Sequence, residues 1–206
     1  MRGLRFQITV VLAALALVAL ALGTGCGNQE EEATGTEPPT ESTTPDSEWT
    51  LVLDGLVQTP LNLTLDDLRA MESTTEYVEL FCVDYPNVPV QKGDWTGVRL
   101  GLLLEQAGLS PEAVKVALYA ADDYSTDLTV ATAMREDVIL AYERDGTPLS
   151  DKLRLVVPGK WGYKWISKLN HIEITDKDFE GLWEGSGYSD EADIPPSPSP
   201  SPSTPR

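Results

Sequence analysis

Two stretches of this 206-residue chain cannot build a core, and they bound what is able to fold. Residues 27–48 consist largely of Glu, Thr, Ser and Pro, with seven acidic side chains and no basic one. So little apolar surface cannot offset the entropy lost on ordering, and the segment is expected to be a disordered acidic linker. Residues 194–206 alternate Pro with Ser after Ile194-Pro195-Pro196, which predicts a disordered, polyproline-like tail. The residues between, 49–193, have the length of one domain with a single core.

Ahead of the linker stand Arg2 and Arg5, an apolar run from Ile8 to Leu22, and Gly23-Thr24-Gly25-Cys26. A positive start, an apolar middle and small residues at the end are the layout of a secretory signal over residues 1–26. The run is short of the roughly 20 residues that a membrane-spanning helix needs. Its end resembles a bacterial lipoprotein cleavage box, with Leu22 one place further from the cysteine than is usual. That resemblance implies lipid on Cys26 and a membrane-anchored, extracytoplasmic protein at the bacterial cell surface or in the periplasm.

The formal net charge is −18, and residues 49–176 carry 11 basic and 20 acidic side chains. With no basic stripe, nucleic acid is excluded as a partner. The chain has two cysteines. If Cys26 takes lipid, Cys82 has no disulfide partner and is either a small buried apolar residue or a soft metal ligand. No Cys-x-x-Cys exists for dithiol redox chemistry.

Periodicity predicts many short strands with a few helices between them. Trp49 to Leu53 alternates and ends in Asp54-Gly55. Thr64, with Asp67 three residues on, is a capping-box start for a helix from Leu65. Tyr77 to Val83 reads as a strand with Cys82 at its end. Leu100 to Ala107 reads as a helix stopped by Gly108. Val114 to Ala120, Asp127 to Val130, Val138 to Tyr142, Leu153 to Val157 and His171 to Thr175 read as strands, with a short helix at Ala131 to Asp137. The pattern argues α+β with mixed pairing and excludes a doubly wound nucleotide-binding fold, since no Gly-rich loop follows a strand. His171 faces away from Ile172 and Ile174, and Asp122-Asp123 reads as a solvated loop.

From Trp49 to about Asp193 the chain resembles the sulfite oxidase-like family of molybdopterin-binding oxidoreductase domains. The motifs that carry the likeness are Gly55-Leu56-Val57-Gln58-Thr59-Pro60, Leu80-Phe81-Cys82-Val83, Trp95-Thr96-Gly97-Val98-Arg99-Leu100 and Asp123-Tyr124-Ser125. Later come Leu153 to Gly159, Trp161-Gly162-Tyr163-Lys164 and Gly181-Leu182-Trp183-Glu184. The resemblance implies a mixed β-sheet or barrel with short helices, and a molybdenum-molybdopterin cofactor whose metal is bound by the Cys82 thiolate. Such soft ligation suits the metal. It further implies Tyr124 beside Cys82 at the reacting centre, Asp123 and Ser125 lining the cofactor pocket, Arg154 and Lys164 on the pterin phosphate, and a redox partner protein.

The chain departs from the family pattern at three places. A lysine common three residues beyond the Gly-Tyr-Lys position is displaced to Lys168, which on a strand would turn it to the other face. The loop before Arg154 is shortened and carries Asp145. Arg2 and Arg5 do not form the twin arginine expected for export of a loaded cofactor. Two readings stay open: a molybdopterin-dependent oxidoreductase domain, and a cofactor-free binding module that captures a small anionic or peptidic ligand on the same fold. For Arg154 a solvent-facing strand position is the alternative, for Lys164 a turn, and for Trp161, Tyr163 and Trp165 core packing.

Replacing Cys26 by Ala is expected to release the protein into the soluble extracytoplasmic fraction or to leave its signal uncleaved. Fractionation with signal-cleavage analysis checks this, and membrane partitioning after signal removal would refute lipidation.

Overall fold

A computed structural model describes residues 49–195. The signal, Cys26, the acidic linker and the tail beyond Pro195 lie outside the described residues. In chain order the elements are β1 (Thr50–Gly55), β2 (Leu61–Thr64), α1 (Leu65–Ala70), β3 (Thr74–Leu80), β4 (Gln91–Arg99), α2 (Leu100–Ala107), β5 (Lys115–Ala120), β6 (Ser125–Thr129), α3 (Val130–Ala133), β7 (Ile139–Arg144), β8 (Thr147–Pro148), β9 (Arg154–Val156) and β10 (Leu169–Thr175). Single turns of 3-10 helix stand at Gly162–Lys164 and Glu184–Ser186.

The strands form two five-stranded sheets. One runs β2-β1-β10-β5-β6; the other runs β3-β4-β7-β8, with β9 also on β7. Pairing is mixed, as the sequence predicts: β1 lies parallel to β10, with Val52 opposite His171, while its other neighbour β2 is antiparallel. One continuous core draws Leu51, Val116, Leu118 and Ile172 from the first sheet and Trp95, Ile139, Leu140 and Leu155 from the second. Helix α2 adds Leu100, Leu103, Leu104 and Ala107 on its buried face.

Local signals explain the helix ends. Thr64 Oγ1 accepts from Asp67 N at 3.1 Å and Thr64 N donates to Asp67 Oδ2 at 2.9 Å, so α1 opens with the reciprocal cap that the spacing predicts. Gly108 ends α2 at φ 70°, in the left-handed region glycine favours. The expected helix at Ala131 to Asp137 is shorter, Val130–Ala133, capped by Thr129 Oγ1 on Thr132 N at 3.2 Å. The expected strand through Val83 ends at Leu80, so Cys82 stands on the loop beyond it.

Strand β4 has no counterpart in the periodicity reading, although its nine residues make it the longest strand. Its inward positions include Gly93 and Gly97, which leave Trp95 as the main apolar marker. Trp95 is wholly buried, packs edge-on against Trp165 at 6.0 Å and donates from Nε1 to Val78 O at 3.4 Å. Over its ring lie the guanidinium groups of Arg144 at 5.3 Å and Arg154 at 5.8 Å. Trp95→Ala is expected to cost about 3–5 kcal/mol through the cavity it opens. Denaturant unfolding monitored by circular dichroism checks the value.

Candidate functional site

Four segments converge beside the end of β3. The chain leaves Leu80, turns through Cys82 to Asp84, and is held by Tyr85 N donating to Cys82 O at 3.0 Å. Against this turn packs the segment between β9 and β10. Gly162 N donates to Phe81 O at 2.8 Å, and a Cβ at Gly162 would stand 3.0 Å from both Phe81 O and Leu80 Cδ2. A side chain there would make its neighbours give by a few tenths of an ångström, so glycine eases the close approach. The β5–β6 turn adds Asp122 and Tyr124, and the C-terminal segment adds Trp183.

These segments line an open cavity of about 430 Å³. Its wall is apolar over Leu80, Val83, Val90 and Ile166 and aromatic over Tyr124, Tyr163, Trp165 and Trp183, with Cys82, Gly162, Asp122 and Ser167 completing it. Cys82 is a free, half-buried thiol. Its Sγ lies 4.0 Å from Asp84 Oδ2. The cavity wall holds no Lys, Arg or His.

A second, polar cleft of about 290 Å³ shares Ser167 with the cavity and is lined by Arg144, Arg154 and Lys168 together with Gln91, Ser150 and Asp151. Arg154 donates from Nε and Nη2 to Asp151 Oδ2 at 3.2 and 2.9 Å, and from Nη1 to Gln91 Oε1 at 3.0 Å. Three of the five guanidinium donors are thereby engaged. Arg154 is half-buried in this cleft, in contrast to a solvent-facing strand position. Lys168 also lines the cleft, because the chain kinks there at φ 53° instead of continuing as a strand, which removes the expected switch of faces. Its Nζ pairs with Asp122 at 3.3 Å, across to the cavity wall.

Lys164 is placed differently from what the family resemblance implies. It lines neither cavity nor cleft. Its side chain is 1% exposed, and Nζ lies 3.0 Å from Asp127 Oδ1, 2.7 Å from Glu184 Oε1 and 3.2 Å from Asp190 Oδ1. Lys115 Nζ joins the cluster at 2.6 Å from both Asp127 and Asp190. Burial works against the Lys115 charge, but hydrogen bonds to Asp127 and Asp190 outweigh it and hold the ammonium above its ordinary range. Burial raises Asp127, and the two lysines only partly offset that. Asp190 is held below the usual carboxylate range: burial opposes its charge, but the Lys115 bond prevails. Glu184 Oε2 is buried without a hydrogen-bond partner.

Other predicted residues separate. Tyr124 lines the cavity, with its hydroxyl donating to Tyr163 O at 2.5 Å. Burial raises its pKa, and burial with Glu184 and Asp190 nearby pushes Tyr163 up to about 12. Both walls therefore keep their phenolic protons at neutral pH. Asp123 is exposed at φ 66° and outside the cavity wall; its neighbour Asp122, also exposed, stands at the cavity's rim. Ser125 opens β6 and is not in the wall; its carbonyl accepts from Leu182 N at 3.0 Å. Trp165 and Tyr163 both pack the interior and face the cavity. His171 pairs with Asp54 at 2.9 Å, away from the site. Sequence reasoning assigned no role to Trp183 or Arg144; Trp183 was marked only by its place in the Gly-Leu-Trp-Glu run.

The family model described as the oxidoreductase molybdopterin binding domain matches residues 37–183. The chain is 32% identical over 150 residues to the uncharacterized oxidoreductase YuiH of Bacillus subtilis, covering 69% of this chain and 73% of that protein. It is 30% identical over 157 residues to the protein-methionine-sulfoxide reductase catalytic subunit MsrP of Xanthomonas axonopodis pv. citri, covering 66% of this chain and 48% of that subunit. Among solved structures, the sulfane dehydrogenase SoxCD from Paracoccus pantotrophus superposes with a TM-score of 0.60 at 26% identity, over 65% of this chain and 40% of that one.

Lys164→Met leaves Asp127 and Glu184 short of a buried counter-charge, and a loss of about 3–5 kcal/mol is expected. Denaturant unfolding measures it, and a loss under about 1 kcal/mol, the range of exposed pairs, would show the cluster to be solvated.

Proposed function

The chain belongs to the oxidoreductase molybdopterin-binding domain family, and on that premise we propose that it is a molybdopterin-dependent oxidoreductase domain held outside the cytoplasm by lipid on Cys26. It transfers an oxygen atom or electrons in company with a redox partner protein. One observation supports this most: the free Cys82 thiol stands in the wall of a cavity that meets a cationic cleft at Ser167.

Those residues suit the group. Cys82 is a soft donor of the kind that molybdenum accepts. Arg144, Arg154 and Lys168 line the cleft, and although Asp145, Asp151 and Asp122 stand beside them, an anionic pterin phosphate would meet charge-assisted donors there. When bound, the cofactor supplies two-electron chemistry, XO + 2e⁻ + 2H⁺ ⇌ X + H₂O, with the electrons exchanged with the partner. The protein's own groups hold and shape. Tyr124 and Tyr163 stay protonated and fix one wall, and Asp122 positions Lys168 across the boundary between cavity and cleft.

One observation favours the second reading, a cofactor-free module that captures a small anionic or peptidic ligand. Lys164, which the family likeness would put on the phosphate, is enclosed among carboxylates. Metal analysis separates the two readings.

Protein purified from its native host is expected to contain stoichiometric molybdenum and pterin. Cys82→Ser is expected to abolish oxidoreductase activity and to remove one sulfur from the molybdenum X-ray absorption signature, with the fold retained. Molybdenum-free native protein would overturn the proposal. Unchanged metal spectra with a stability loss of about 1–3 kcal/mol would reduce Cys82 to a packing residue.

A further inference from the structure

Beyond β10 the chain continues as residues 176–195, and this strap is attached in a manner unlike the rest of the domain. Its regular structure is a single 3-10 turn at Glu184–Ser186. It carries Phe179, Leu182, Trp183, Tyr188, Ala192 and Ile194, and none of them belongs to the continuous core. Its charge is one-sided, with seven carboxylates and one lysine. Those carboxylates meet three buried lysines of the body. Lys115 Nζ lies 2.6 Å from Asp190, Lys164 Nζ 2.7 Å from Glu184, and Lys160 Nζ 2.8 Å from Asp193. Among the described residues, Asp127 is the one carboxylate of the body that pairs with any of these lysines.

Ion pairs and apolar contacts come apart at different cost. Undocking an ion pair returns both charges to water, and hydration offsets much of the lost attraction. Apolar side chains have no such offset when they leave a core. A segment held by the first means and not the second lifts while the sheets stay closed, as sub-global opening units do. Backbone ties to the body are few: Leu182 N to Ser125 O at 3.0 Å, Trp161 N to Ala192 O at 2.8 Å and Ile194 N to Gly159 O at 2.9 Å. Buried Ala192 is held at φ 54°, a left-handed conformation costly to a residue with a Cβ, so docking stores strain that opening releases. Lifting the strap takes Trp183 out of the cavity wall. It also deprives Tyr163 of its stacked ring at 6.2 Å and of Ser189 O, to which its hydroxyl donates at 2.7 Å.

We propose that residues 176–195 form a strap that opens as one unit while the two sheets stay folded, and that the cofactor in the Cys82 cavity holds it shut. The second clause rests on the proposed function's reading of that cavity. An occupant that touches Trp183 can do so only when the strap is docked, so filling the cavity and closing the strap favour each other.

Hydrogen exchange followed by mass spectrometry on full-length protein tests this. The Trp161 amide is diagnostic, because it belongs to the body but donates to the strap. It is expected to exchange together with Leu182 and Ile194, at least about 100-fold faster than the amides of β5 and β10. Strap protection equal to that of β5 and β10 overturns the proposal. Glu184→Gln combined with Asp190→Asn is expected to speed strap exchange at least about ten-fold and to leave β10 unchanged. An equal rise in both overturns it, since strap and sheets would then be one unit. Should that variant not fold, a disulfide serves instead. Lys160 and Asp193 face each other as a bridge pair that exchanges no backbone bonds, where Cα atoms stand about 4.5 Å apart, within disulfide reach. Oxidised Lys160→Cys/Asp193→Cys is expected to slow strap exchange at least about ten-fold, and an unchanged rate overturns the proposal. Molybdenum-loaded protein from the native host is expected to exchange its strap at least about ten-fold more slowly than protein from a host that makes no pterin cofactor. Equal rates in the two overturn the clamp. A strap that opens alone, in a protein that takes up no molybdenum in its native host, upholds the opening unit and overturns the proposed function.

Discussion

The arrangement around Cys82 depends on a buried cluster of ions. Lys115 comes from β5, Asp127 from β6, Lys164 from the 3-10 turn after β9, and Glu184 and Asp190 from the C-terminal segment. Removing such charges from water costs several kcal/mol each, so the cluster is tolerable only when every ammonium is matched. That requirement holds the 3-10 turn and the C-terminal segment against the paired strands β5 and β6. Two of them, the turn carrying Tyr163 and the segment carrying Trp183, are walls of the cavity. The cavity therefore takes its shape from ions that do not line it.

The same cluster shows where reading the sequence stops. Thr64 with Asp67, and Leu100 to Ala107 with Gly108, are local signals, and the chain obeys them because the cap and the stop act within one turn. Lys164 is not local. Its partners lie at positions 127, 184 and 190, and nothing near it in the chain distinguishes a buried ion from a phosphate ligand. Strand β4 escaped for another reason: glycine at two of its inward positions leaves no apolar alternation to read. Lys168 was legible as a residue but not as a direction, since its positive φ breaks the strand geometry from which its face was inferred.

Separating a soft thiol from the cationic residues is chemically economical. No cation lines the wall beside Cys82, whereas Arg144, Arg154 and Lys168 lie in the neighbouring cleft. Trp95 ties the two regions together: its ring lies within 6 Å of both guanidinium groups and makes a T-shaped contact with Trp165, a cavity wall. Disturbing the core at Trp95 would thus reach the cleft and the cavity at once.

The parallel pairing of β1 with β10 carries a consequence for how the molecule comes into being. Two strands that run the same way need a long connection, and here it is nearly the whole domain, from Gly55 to Leu169. During synthesis β1 has only its hairpin partner β2 for company. The first sheet cannot be completed until β10 has left the ribosome, so folding is an event of the finished chain and belongs with slow, non-local topologies. A polypeptide that stays open so late is one that a translocation channel or a chaperone can hold in extended form until its last strand has been made.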